Sequence, residues 1–401
     1  MYLFRKVLFW CHLTVGVIAG VVILIMSATG VLLTYERQIT YWADTRSYHI
    51  APPSPEATRL SVEALIAKAR EVQPNTTITT VILRAGATEP AAVVLAGNPG
   101  AGPGGGRNIF LNPYTGAMLG EGSKGVRDFF HVLTDLHRWL GASGASRNTA
   151  RAVTGACNLG FLFIVASGIY LWWPRKRNWS QFKNILWFKR GLPGKARDFN
   201  WHNVIGVWSA IPLFVVVLSA LPISFPWANA LVYRAVGEEP PAQRGREGGP
   251  ARGREERSVP SLEGLNSLWS RAEQQVEGWR TINVRVPESN RAPVVFAIDT
   301  GEGGQPQHRS TLTLDRATGD VVSYEAFADQ SLGRRLRSIS RFAHTGEVLG
   351  IPGQTVAGLA TAGSVVLVWT GLALAWCRGR AWMKRRAAER VDPISTQSSA
   401  A

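Results

Sequence analysis

Cysteine is scarce: three residues in 401, at Cys11, Cys157 and Cys377. Their number is odd, no CxxC pair exists, and each lies in or beside an apolar run. That pattern excludes a disulfide framework and a thiolate metal cluster, and leaves small membrane-buried side chains as the reading. No GK[ST] follows the Gly-rich segment 99–106 and no helix is expected to start there, so it reads as a flexible hairpin connection and not a phosphate loop. Acidic residues are few as well, with 28 Asp and Glu against 44 Lys and Arg and a formal net charge of +16. An excess of base raises nucleic acid as a partner. Much of it, however, flanks hydrophobic runs, where anionic membrane lipid and membrane topology account for it. Nucleic acid is therefore set aside.

What four long stretches lack is charge. Residues 7–35 follow the short basic start MYLFRK without one charged side chain. This run is too long for the apolar region of a signal peptide and has no small-x-small cleavage site with a polar sequel. It reads as a first membrane helix with its N-terminus in the cytoplasm. A second span is expected at 151–174, a third at 199–226 within an uncharged stretch that continues to Tyr233, and a fourth at 354–377. The dense positive loop 175–198 and the tail 378–401 place the inner ends of these helices in the cytoplasm. The fold class expected is an α-helical membrane protein with four transmembrane helices as two parallel repeats, each carrying an inserted periplasmic α+β domain.

The inserted segments are 36–128 and 227–331. In the first, helical spacing over 61–72 precedes strand-like pieces at 78–83, 92–95 and 108–111, then the turn Asn112-Pro113-Tyr114-Thr115-Gly116. In the second, a low-complexity linker at 237–258 precedes a helix over 261–276, strands at 281–286, 293–298 and 310–314, and the turn Asp315-Arg316-Ala317-Thr318-Gly319. Amphipathic segments follow each, at 129–150 and 332–353. The order of elements thus occurs twice, and His12-xxx-Gly16 recurs as His202-xxx-Gly206.

Seven histidines sort by topology. His12 and His202 fall near the cytoplasmic ends of helices one and three; His137 and His344 fall near the outer ends of helices two and four. Singly, each is a structural interface histidine as readily as a ligand. Pairing at matched depth changes that weighting. Two neutral imidazoles from facing helices are what a six-coordinate haem iron needs, one on each face of the macrocycle, so two pairs imply two haems. His131 competes with His137 as an alternative ligand. The two point about 240° apart on a helix and cannot share one haem, and His137 is nearer the membrane helix. Zinc would need a larger ligand set than either pair supplies. Gly16 and Gly206, one turn after a histidine, give a flat porphyrin room or simply pack helices closely. Arg138 and Arg341 lie beside the outer histidines, as propionate or acceptor contacts or as interface arginines.

These residues carry a resemblance. WCHLTVGVIAG, DLHRWLG, SGIYLWWPRK, FNWHNVIGVW and HTGEVLG, with domains ending NPYTG and DRATG, make the chain similar to the PepSY-associated transmembrane proteins. That family includes iron-regulated membrane proteins and ferric-siderophore reductases of Gram-negative bacteria. The resemblance covers nearly the whole chain. It implies a di-haem b core in the bacterial inner membrane, PepSY-like domains in the periplasm, and electron transfer to a periplasmic ferric chelate or siderophore. By position it implies His12, His202, His137 and His344 as axial ligands of the haem irons. Some relatives fuse a flavin reductase domain, but no GxGxxG in a βαβ context occurs here, so the expected donor is another cytoplasmic protein, a quinol or a diffusible reductant.

The leading expectation is therefore a haem-dependent membrane ferric reductase. Iron release follows reduction because hard oxygen ligands hold the softer divalent ion less well. Arg334, Arg335, Arg337 and Arg341 would attract an anionic chelate, or bind lipid headgroups. The alternative is a non-enzymatic PepSY membrane protein that binds peptides or a partner in assembly or protease regulation, its histidines structural. A transporter suits the parallel repeat, but no broken-helix carboxylate site is visible.

Overall fold

The computed structural model describes residues 2–54, 56–97, 107–173, 179–241, 261–287, 289 and 291–391. The Gly-rich segment 99–106, most of the linker 237–258, residues 174–178 at the start of the basic loop and nearly all of the tail 391–401 lie outside the described residues.

Along the chain, the long helix α1 (Tyr2–Leu33) is followed by α2 (Glu36–Thr45) and α3 (Val62–Val72). Strands β1 (Ile78–Arg84), β2 (Ala91–Leu95), β3 (Arg107–Leu111) and β4 (Met118–Gly120) come next, then α4 (Lys124–Trp139) and α5 (Ser146–Trp172). The second half runs α6 (Trp179–Leu186), α7 (Gly194–Ser224), α8 (Pro226–Arg234), α9 (Leu265–Gln275), β5 (Thr281–Arg285), β6 (Val294–Asp299), β7 (Arg309–Leu314), β8 (Val321–Ala326), α10 (Leu332–His344) and α11 (Gly350–Val391). The chain divides into two compact units: residues 1–34, 130–229 and 343–401 form one, and residues 35–129 and 230–342 the other.

The first unit holds the four expected spans. Among the described residues four helices are long and apolar enough to cross a membrane: Tyr2–Leu33, Ser146–Trp172, Gly194–Ser224 and Glu347–Ala387. In hydrocarbon the backbone has no water to bond, so an uncharged run of this length satisfies its N–H and C=O groups as a helix. α1 and α7 each pack principally against α5 and α11, so they stand at opposite corners of a four-helix ring. The uncharged stretch from Phe199 to Tyr233 is not one helix. It breaks at Phe225, whose extended backbone (φ −123°, ψ 126°) is the conformation that a following proline enforces, and Pro226 opens α8. α11 continues past the expected limit of 377, because its basic tail is rich in Ala and Arg, both strong helix formers.

The second unit is a correction to the expected domain plan. The inserted segments do not form separate domains. They contribute four strands each to one eight-stranded antiparallel sheet, in the order β4-β3-β2-β1-β5-β6-β7-β8. β1 and β5 join the halves, with Val81 opposite Val284. One face of the sheet carries α3 and α9. Leu65, Ile66 and Ala69 from α3 and Leu268, Trp269 and Ala272 from α9 bury against Val81, Val93, Leu111, Val284, Phe296 and Leu312. Each such large apolar side chain contributes about 1.5–3 kcal/mol on burial. Strand alternation reads correctly from sequence, as the buried-half-buried-buried pattern of β2 shows. The edge strands β4 and β8, and the short helices α2, α6 and α8, were not expected: β4 has three residues, β8 is exposed over most of its length and shows no buried alternation, and the helices are too short to carry a periodic signal of their own.

The turns closing β3 and β7 share one mechanism. The Asn112 side chain accepts from the Tyr114 and Thr115 N–H groups, and Asp315 accepts from Ala317 and Thr318. Gly116 and Gly319 then take φ of 71° and 73°, a region glycine enters without penalty.

Candidate cofactor site

All four candidate histidines belong to the membrane unit, each in or at the end of a helix, and all are half-buried. His12 is on α1, and its Nδ1 lies 2.8 Å from the Ser167 hydroxyl on α5. His202 is on α7, and its Nδ1 lies 3.0 Å from the Thr370 hydroxyl on α11. His137, near the end of α4, places Nδ1 3.0 Å from the Thr29 hydroxyl on α1. His344 closes α10, and its Nδ1 donates to the Val216 carbonyl of α7 at 2.9 Å.

One arrangement of hydrogens satisfies every group. A hydroxyl has one hydrogen. Thr29 gives its hydrogen to the Ile25 carbonyl at 2.7 Å, Thr370 to Val366 at 2.8 Å and Ser167 to Ile164 at 3.2 Å. Each hydroxyl therefore presents a lone pair to its imidazole, and a carbonyl such as that of Val216 can only accept. In that arrangement each ring carries its hydrogen on Nδ1 and its lone pair on Nε2, the form in which histidine ligates a metal; at His344 the carbonyl partner requires it.

The structure brings the four rings together in two groups. The His137 and His344 ring centroids are 6.2 Å apart. Two imidazoles on opposite sides of one metal ion, with metal–nitrogen bonds of about 2 Å, put their centroids about 6 Å apart. His12 and His202 come from opposite corners of the helix ring and are electrostatic neighbours. His12 and Thr29, the partner of His137, are separated by about 25 Å of α1, so the two groups lie toward opposite ends of the bundle. Beside His12, a Cβ at Gly16 would meet no atom within 4 Å; at Gly206 it would meet Leu367 at 3.7 Å. The donor set and the open glycine edge fit a flat macrocycle between paired imidazoles. Among the described residues no group of three or more His, Cys, Asp and Glu converges as a metal site, so a three- or four-ligand zinc-type centre is not formed there.

The family model described as the PepSY-associated TM region matches residues 9–378. The chain belongs to that family. Among curated proteins none matches it.

In this PepSY-associated membrane protein the remaining sequence candidates are dispersed. His131 is exposed on α4. Arg138 is exposed and stacks over the Trp139 ring at 4.6 Å, and Arg341 lies 5.8 Å from the Phe342 ring. Of the α10 arginines, Arg334 is paired with Glu325 at 2.5 Å, and Arg335 lies over Phe327. Burial, and then the Arg341 guanidinium, push Arg337 below the usual arginine range. The residues that sequence reasoning missed are Ser167, Thr370 and Thr29. Their signal is present: each precedes a glycine inside an apolar helix, at Gly168, Gly371 and Gly30.

Proposed function

We propose that this membrane protein is a di-haem b oxidoreductase of the bacterial inner membrane. In this reading His12 and His202 hold one haem toward the cytoplasmic face and His137 and His344 hold the other toward the periplasmic face. The four helices form two parallel repeats, both termini are cytoplasmic, and the sheet unit lies in the periplasm. Electrons from a cytoplasmic protein or a quinol pass outward to a ferric siderophore or another ferric chelate, which releases its iron on reduction.

A bound haem would supply a one-electron iron couple. The chain's own contribution is to hold four imidazoles in the ligating tautomer, in two groups, inside a bundle that keeps water away. The observation that carries the reading is that an oxygen holds Nδ1 of each of the four imidazoles, which leaves Nε2 for a metal.

The test is direct. Purified full-length protein should show a Soret band and about two haems per chain by pyridine haemochrome. His202→Ala and His344→Ala should each remove a different haem. Colourless protein, or loss of neither haem, overturns the proposal. Reoxidation of the reduced protein by a panel of ferric chelates then identifies the acceptor class.

A further inference from the structure

Three of the four histidines meet the same two-residue device. Ser167-Gly168, Thr370-Gly371 and Thr29-Gly30 each put a hydroxyl on Nδ1 and a glycine against the ring edge. A Cβ added at these glycines would sit 3.5 Å from His12 Cε1, 3.4 Å from His202 Cε1 and 3.3 Å from His137 Cε1. Each glycine borders its ring edge: at Gly168 and Gly371 a Cβ would make ordinary contact with the imidazole, and at Gly30 a tight one.

A hydroxyl bonded back to its own helix is common in membrane helices and by itself says nothing. Here the back-bond has a second consequence. It consumes the hydroxyl hydrogen and polarises the oxygen, making it a better acceptor for the imidazole N–H. An acceptor on Nδ1–H fixes the ring orientation and raises the donor strength of Nε2. A stronger nitrogen donor favours ferric over ferrous iron, so it lowers the reduction potential.

Building on the di-haem reading above, we propose that Ser167, Thr370 and Thr29 are positioning residues that tune the two haem potentials through His12, His202 and His137. Ser167 and Thr370 act on the same haem, from its two sides. Thr29 acts on the other, where the Val216 carbonyl serves His344 in the same capacity.

The experiment is potentiometric titration of full-length, haem-loaded protein, read optically and by the low-spin EPR signals, for Ser167→Ala, Thr370→Val and Thr29→Val. Removing an acceptor that favours the ferric state tenfold raises a one-electron midpoint by about 59 mV. Ser167→Ala and Thr370→Val should raise the midpoint of one and the same haem, and Thr29→Val that of the other. Thr370→Ser, which keeps the hydroxyl, should restore the wild-type value. If a valine variant loses its haem, retention of both haems at wild-type potentials in Thr370→Ser and Thr29→Ser supports the proposal, and loss there too overturns it. Unmoved midpoints in variants that keep both haems also overturn it, while leaving the di-haem reading intact. A wild-type protein without haem removes the parent reading first, and is told apart by the haemochrome assay alone.

Discussion

Glu63 and Asn266 cap each other's helices. The Glu63 N–H, in the first turn of α3, donates to Asn266 Oδ1 at 3.1 Å, and the Asn266 N–H, in the first turn of α9, donates to Glu63 Oε1 at 2.9 Å. The two residues stand 203 positions apart, the same separation as Val81 and Val284, which face each other where β1 meets β5. A residue paired with its own counterpart is the mark of a twofold relation, here within one chain. First-turn N–H groups have no partner inside their own helix, so each helix supplies what the other lacks.

Loss of either cap should therefore cost the sheet unit stability. Glu63→Ala and Asn266→Ala are each expected to destabilise by about 1 kcal/mol, the usual worth of a helix cap. Glu63→Gln keeps the accepting oxygen and should stay within about 0.5 kcal/mol of wild type. Chemical denaturation of the full-length protein in detergent, followed by Trp fluorescence, reads the difference. Equal losses for Ala and Gln would show that the bond contributes nothing.

Asp44 should be far less tolerant. It is 5% exposed, pairs with Arg127 at 2.7 Å and accepts the Ser123 N–H at 2.6 Å, just before α4 begins. Gly122, at φ 73°, packs so closely that a Cβ there would overlap the carboxylate. Removing one partner of a buried ion pair leaves the other charge uncompensated, so Asp44→Ala is expected to cost about 3 kcal/mol. The double variant with Arg127→Met should recover part of that loss in thermal unfolding. No recovery would mean that the pair is not the source of the cost.

The turn after His344 depends on close backbone approach. Gly346 has φ 76°, and a Cβ there would overlap the Gly353 carbonyl oxygen. Gly346→Ala therefore combines left-handed strain with a backbone clash, and a loss above about 2 kcal/mol is expected. Gly379→Ala, within α11, is the contrast. It meets open space and should be neutral or stabilising by up to about 1 kcal/mol through helix propensity. Under the di-haem proposal Gly346→Ala should also weaken the periplasmic-side haem selectively. Absorbance difference spectra of the two variants test both statements, and equal effects would contradict them.

Glu89 gives a pH signature. Burial raises its carboxyl above the usual range, with the Tyr41 hydroxyl donating to it. A folded value above the unfolded one means that its contribution is fully present below about pH 4.3 and is lost as pH rises through the folded value. Glu89→Gln cannot ionise and escapes that loss. Its midpoint of thermal unfolding should gain on wild type between about pH 4 and neutrality. A pH-independent difference would refute the assignment.

Much of this was legible beforehand. The four uncharged runs sort into spans because hydrocarbon leaves a backbone no other choice than a helix. Strands β1, β2, β3, β5, β6 and β7 announced themselves through alternation, and the two Gly-ended turns through their Asn and Asp. The histidines stood out because an ionisable group is expensive in an apolar run. The third span was expected to end at 226, and α7 ends at Ser224, just before Pro226.

The amino-acid sequence by itself thus determined the type and place of most elements, since hydrophobic period, charge and turn chemistry act over a few residues. Tertiary structure decided what joins what. That α1 and α7 stand at opposite corners, that eight strands share one sheet and that Ser167, Thr370 and Thr29 close on the imidazoles are contacts between distant segments. Such contacts depend on how whole elements pack, and no local pattern in the chain encodes them.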